Sequence, residues 1–228
     1  MRGGTSLDSE SIELTIFCAR PSHSSSTLED TRRFIDLDDD RMPTLKGKYK
    51  VPHFDGKGEA DDVFRKAGVP TTFLLTSFYW DNFIHFGSGP QRGEDGGLVL
   101  PLPMGHKRLS GIAVQDIGKC AYGIFREGLR HVGRTVGIAG EHLTGEELAA
   151  GLSKAIGEAV TYWPVSWDQY RSFDFPGADD LGNMFQFKHD FQEVFVGARD
   201  LAVARRLNPA LETFSAGLEE NGSRIPTP

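Results

Sequence analysis

Apolar and polar positions along this chain fall into two rhythms, and the change from one to the other separates helices from strands. Thr71–Thr76, TTFLLT, is a short, apolar, β-prone run of the kind that forms a strand buried on both faces of a parallel sheet. The segment before it starts near His53. It carries apolar positions at Phe54, Val63, Phe64 and Ala67, and it stops at Gly68, a helix closed by a C′ glycine. Ile117, Cys120, Ala121, Ile124 and Phe125 repeat at helical spacing behind Asp116, which is expected to cap that helix. Thr144-Gly-Glu-Glu147 is a capping box opening a helix that runs to about Lys154, with Leu148 and Leu152 inward.

Ser166 is placed to cap a short helix with Trp167 and Tyr170. Residues 178–195 read as one Phe-rich helix with Asp179 and Asp180 in its first turn, where carboxylates suit the helix dipole. Its stripe of Leu181, Met184, Phe185, Lys188 and Phe195 is expected to face the core. A further helical segment, residues 205–218, is interrupted before Pro209. Leu98–Met104 reads as extended, and its prolines assign it to a sheet edge. Thr135–Ala139 and Ala159–Val165 are short strand candidates.

The ends read differently. Residues 1–11 are rich in Gly, Ser and acidic residues and are expected to be disordered. Ile12–Ala19 has the pattern of one strand, Arg20–Ser26 that of a polar linker, and residues 221–228 that of a disordered tail. The 228 residues carry a formal net charge of −7, which argues against non-specific binding of nucleic acid or of an anionic membrane. No apolar run approaches the roughly 20 residues that span a bilayer, and no secretory signal pattern opens the chain. Cys18 and Cys120 are far apart with no CxxC, which fits a reducing compartment. No zinc-type Cys/His cluster and no G-x-S-x-G elbow is present, so no metal site is expected.

Chemistry concentrates between residues 53 and 82. Lys57 follows His53 by four residues, so the two share one helix face. The buried strand then runs into Phe78–Asn82, FYWDN, read as a polar-aromatic loop. Ligands of open α/β sheets bind outside the carboxyl ends of the strands, which makes this lysine and this loop candidate walls of one site. Gly56 and Gly58 flank Lys57 at a cost of about 1 kcal/mol each in a helix, an arrangement that suits close approach of a ligand or of a neighbouring strand.

HFDGKGE, the Gly-Val-Pro-Thr turn, Tyr79-Trp-Asp-Asn82, LPMG at 102–105, Asp116-Ile-Gly118, FPGADDLGNMFQF at 175–187 and RLNP at 206–209 together resemble the NmrA-like family. These are atypical short-chain dehydrogenase/reductase relatives with a Rossmann domain. The likeness runs from about residue 25 to 220. It implies an α/β fold: a partial, N-terminally truncated Rossmann-like parallel sheet, its C-terminal part at 26–90, with 91–220 mostly a small α+β substrate-side subdomain. It also implies NADP(H) or NAD(H) as ligand, with Lys57, Tyr79, Trp80, Asp81 and Asn82 at the nicotinamide end. A regulatory protein or a second copy of the chain is the implied partner, in the cytoplasm or nucleus.

The sequence departs from the family pattern in two places. No G-x-G-x-x-G turn is present, so the phosphate-holding half of a dinucleotide site has no counterpart and binding is expected to be weak. His53 stands four residues before Lys57, where short-chain dehydrogenases have a catalytic tyrosine. His53 and Lys57 are therefore the candidate catalytic pair, with histidine able to pass a proton near neutral pH. Three readings stay open at this stage: a redox-sensing regulatory protein, an NAD(P)H-dependent oxidoreductase for quinones or small carbonyl compounds, and a cofactor-free interaction module.

Overall fold

The structure, a computed structural model, describes residues 22–228. The strand expected at Ile12–Ala19 and the disorder expected at 1–11 lie outside the described residues. Strand β1 (His23–Thr27) pairs in parallel with β2 (Thr71–Leu75) over the full length of both. Helix α1 (Pro52–Lys66) connects them. Proline at the first helical position needs no N–H partner, and Gly68, at φ +66°, takes the left-handed turn that releases the chain into β2.

The expectation of a polar linker at Arg20–Ser26 is corrected here, because His23–Thr27 is a strand. Its hydrogen bonds come from the backbone of β2, all five residues of which are buried, so a serine-rich sequence is held in the ladder by its partner. Among the described residues β1 is the margin of this sheet, five residues of His, Ser and Thr.

The far side of β2 pairs in parallel with β7 (Thr135–Gly137), giving the order β1-β2-β7. A second sheet joins β3 (Phe78–Tyr79), β6 (Leu109–Ile112) and β8 (Glu141–Leu143). A third joins β4 (Gln91–Arg92), β5 (Leu98–Pro101) and β9 (Val160–Trp163). The strand at 135–137 returns to the first sheet, and the strand at 78–79 belongs to the second.

Strand β5 is the middle of its sheet rather than an edge. The partner β4 covers only Leu98 and Val99 and ends short of Pro101, so the proline disturbs no pairing on that side. Helices α2 (Asn82–His85), α3 (Val114–Arg126), α4 (Gly145–Ile156), α5 (Trp167–Arg171), α6 (Ala178–Asp190), α7 (Gln192–Gly197), α8 (Leu201–Leu207) and α9 (Phe214–Asn221) complete the fold. The helix expected over 178–195 breaks at Phe191 into α6 and α7.

The capping box at Thr144 and Glu147 is formed, with Leu148 and Leu152 buried. Asp116 is not a cap. It sits fully buried inside the first turn of α3, accepting from Asn208 Nδ2 at 2.9 Å and Glu212 N at 2.8 Å, and it ties α3 to the loop before α9. Residues 221–228, expected as a disordered tail, pack back instead. Ile225 is buried in the main core, and Arg92 Nε donates to Pro228 O at 2.7 Å. Among the described residues, no helix is long and apolar enough to cross a membrane.

Two buried ionic groups lock the helices to the first sheet. The Asp55 carboxylate, in α1, accepts from Thr31 N and Oγ1, Lys50 N and Val51 N at 2.6–3.1 Å, and so fixes the start of the helix that carries His53 and Lys57. Arg199, just past α7, is fully buried. It donates to Thr76 O at 2.6 and 2.8 Å, to Phe195 O at 2.7 Å and to both carboxylate oxygens of Glu29 at 2.7 and 3.1 Å. Removing one partner of such a pair strands the other charge in the interior. Arg199→Leu is expected to lose about 3–5 kcal/mol of stability in urea unfolding. A loss below about 1 kcal/mol, the value of a surface pair, would show that the pair does not hold the sheet ends together.

Candidate functional site

Residues Leu28, Thr76 and Ser77 follow the carboxyl ends of β1 and β2, and a cavity of about 220 Å³ opens there. Its walls bring together His53 and Lys57 from α1, Tyr79 from β3, Asn82 from α2 and the α6 stripe of Leu181, Met184, Phe185 and Lys188. The sequence-predicted residues His53, Lys57, Tyr79 and Asn82 thus share one space. Lys57 Nζ lies 3.4 Å from Ser26 Oγ at the end of β1. His53 donates from Nδ1 to Asp180 Oδ1 at 2.8 Å. Tyr79 Oη is 3.3 Å from Thr76 Oγ1.

Trp80 and Asp81 are not in this cavity. FYWDN is a two-residue strand, Phe78–Tyr79, followed by a turn and helix α2 rather than a loop; Phe78, Tyr79 and Asn82 line the cavity, and Trp80 and Asp81, in the turn between, make other contacts. The Trp80 ring packs on Phe214 in the space that Gly111 and Gly140 leave, where a Cβ would strike the indole. The Asp81 carboxylate accepts from Val114 N at 2.9 Å and holds the start of α3. Of the two glycines beside Lys57, Gly58 is explained without a ligand. A Cβ on Gly58 would come within 2.8 Å of Asp30 Cβ, so this glycine lets α1 approach the loop after β1, and Gly56 faces open space.

Lys188 is the residue that sequence reasoning placed on a core stripe and assigned no chemistry. It is 2% exposed, and among the described residues its Nζ reaches only the Met184 thioether, at 3.2 Å. Four rings, Phe54, Phe78, Phe185 and Phe195, surround the ammonium with centroids at 5.2–5.7 Å. Aromatic faces stabilise a cation, but they are no substitute for water or a carboxylate. Burial, with Arg199 nearby, pulls the Lys188 ammonium down to about 7. Ser77 Oγ, on the same cavity, is buried and has no hydrogen-bond partner among the described residues. An unsatisfied hydroxyl and an unpaired ammonium facing one small space mark a place built to receive a polar group.

A larger cavity of about 970 Å³ adjoins this one, and Ser88 and Tyr170 line both. Its other walls include Trp163, Phe173 and Phe175. Cys120 is remote from both cavities. It is fully buried in the second core cluster and its thiol is pushed up to about 11 by burial, as an inert core cysteine should be.

The Lys188 charge carries a stability signature. Its folded-state value lies below that of an unfolded lysine, so the unfolded chain binds more protons between about pH 7 and the ordinary lysine value of 10.5. The destabilisation is full below about pH 7 and fades as pH rises toward 10.5. Lys188→Met keeps the volume and removes the charge, so it is expected to raise the melting temperature. The gain should be largest at about pH 6 and should shrink steadily toward about pH 10, followed by thermal unfolding across that range. A gain that does not depend on pH would refute a buried titrating lysine.

Residues 39–216 match the sequence profile of the NmrA-like family. Among solved structures, NmrA, a negative transcriptional regulator, superposes with a TM-score of 0.66 at 20% identity over 88% of this chain and 63% of its own, and it has been solved in complex with NAD and with NADP. Triphenylmethane reductase from Citrobacter sp. gives 0.62 at 16% identity, over 89% of this chain and 65% of its own. An NADPH-dependent quinone oxidoreductase from Escherichia coli gives 0.60 at 21% identity, over 87% and 65%. The chain therefore spans under two thirds of the length of these structures. It has their mixed α/β, Rossmann-like architecture, and by its profile match over most of its length it belongs to the NmrA-like family.

Proposed function

We propose that this chain is an NAD(P)-linked redox-sensing regulatory protein in which the inner cavity receives the nicotinamide end of NADP(H) or NAD(H). Lys57 would bond the ribose hydroxyls, and Asn82 and Ser77 the carboxamide. The observation that carries this reading is the orphaned Ser77 hydroxyl at the end of β2, in the same cavity as Lys57, Tyr79 and Asn82. The residues that line the inner cavity bear on the nicotinamide end, and the reading is confined to it.

Sensing requires unequal affinity for the two redox forms. The nicotinamide ring is cationic when oxidised and neutral when reduced. Among the described residues the cavity lining contains two lysines and no carboxylate, an electrostatic setting that opposes the cationic ring. The reduced form is therefore the favoured ligand, and a regulatory protein or a second copy of the chain would read its occupancy.

Saturation-transfer NMR with NADPH and NADP tests the proposal. Nicotinamide protons should receive more magnetisation than adenine protons, more strongly for NADPH than for NADP, and Lys57→Ala should weaken the effect. No transfer to a folded sample would eliminate the proposal and leave a cofactor-free interaction module. The second reading, an NAD(P)H-dependent oxidoreductase for quinones or small carbonyl compounds with His53 as acid, is favoured by the large aromatic-lined cavity that meets the small one at Ser88 and Tyr170. It requires turnover. NADPH oxidation with a quinone panel separates the two: the regulatory reading expects binding without consumption, and turnover lost in His53→Phe would favour the enzyme.

A further inference from the structure

We propose that the inner cavity holds an anion subsite built on Lys188, and that its ligand is a small planar aromatic carboxylate. This inference goes beyond dinucleotide binding and rests on the cavity alone.

The ammonium of Lys188 has three N–H donors, and one thioether is its only partner among the described residues. A buried cation without a counter-ion is costly, and a structural lysine is ordinarily paired. The carboxylate that acts on it, Glu29, is already engaged by both guanidinium arms of Arg199. The chain as a whole carries a net charge of −7, yet among the described residues no Asp or Glu lines this cavity. The titratable groups around Lys188 are the Arg199–Glu29 pair, His53 and Lys57 from α1, Tyr79 from β3 and Tyr170 from α5. His53 is held by Asp180, which does not itself line the space. The charge that is missing is therefore negative, and it must come from a ligand.

The walls define the rest of the ligand. Phe54, Phe78, Phe185 and Phe195 ring the ammonium, so a group that reaches it must pass between aromatic faces. A flat ring carrying the anion fits this better than a hydrated inorganic ion, which would lose its water to apolar walls. The volume of about 220 Å³ is below that of a drug-sized site and suits one or two rings. A longer body continues past Ser88 and Tyr170 into the larger aromatic cavity. The free Ser77 hydroxyl offers a neutral donor within the same space.

The test is calorimetric titration of the full chain with naphthoate, without dinucleotide, and with the uncharged isostere naphthamide as control. At about pH 6, where Lys188 is protonated, naphthoate should bind at least about tenfold more tightly than naphthamide. Naphthoate stays ionised across the range. Only the protonated lysine is competent, so its affinity should fall by about tenfold per unit above about pH 7, while naphthamide should show no such slope. Lys188→Met should abolish the preference for the acid. Absence of naphthoate binding at about pH 6, equal affinity for acid and amide, or unchanged naphthoate binding by folded Lys188→Met would each overturn the subsite. The acid–amide comparison and the pH profile need no variant, so the outcome does not depend on how the substitution folds. Failure of dinucleotide binding leaves these results untouched.

Discussion

One buried ion pair, Arg199 with Glu29, sets both the geometry and the electrostatics of this molecule. The guanidinium closes three ends at once: Glu29 after β1, Thr76 after β2 and the carbonyl of Phe195 in α7. Strand ends in an open sheet leave polar backbone groups that must be satisfied when a helix covers them. Arg199 does this for Thr76 from the side away from solvent, and so the helices after residue 178 can lie over the carboxyl ends of the strands. The inner cavity is the space left between that roof and α1.

The same pair explains why Lys188 is alone. Its ammonium senses Glu29 as a favourable charge, but Arg199 has taken both oxygens of that carboxylate and adds an opposing charge of its own. An interaction that stabilises the fold thereby leaves a destabilised cation one helix away. Residues that cost stability and cluster at a cleft are the expected mark of a site kept for binding. Aromatic rings recover part of the cost without neutralising the charge, and this keeps the lysine available to something that enters.

Much of this architecture is legible in the sequence because it depends on local chemistry. Pro52, Gly68, the TTFLL run and the Thr144–Glu147 box each act over a few residues, and each produced the element that its chemistry implies. The features that were not legible depend on partners distant in the chain. His23–Thr27 has no strand composition of its own and is a strand because β2 offers a complete ladder. Phe78–Asn82 looks like a loop because two strand residues and a single helical turn are too short to show a period. The turn at Trp80 and Asp81 carries those two side chains away from the cavity that Phe78, Tyr79 and Asn82 line. Lys188 gave one faint signal, a lysine in the middle of an apolar stripe. Side chains of that length ordinarily escape to the surface, and only the packing of four phenyl rings around this one prevents it.

The dinucleotide and the aromatic anion draw on one small space. The inner cavity, at about 220 Å³, suits one or two rings, so a nicotinamide and an aromatic carboxylate would exclude one another there. Linkage makes the exclusion reciprocal: each ligand weakens the other by the same factor. Their demands on Lys188 differ. The carboxylate needs the ammonium charged, whereas an oxidised, cationic nicotinamide is opposed by that charge. A rise in pH through about 7 removes the charge and so turns the balance away from the anion. This choice between occupants needs no movement of the fold, because the charge of one side chain carries it.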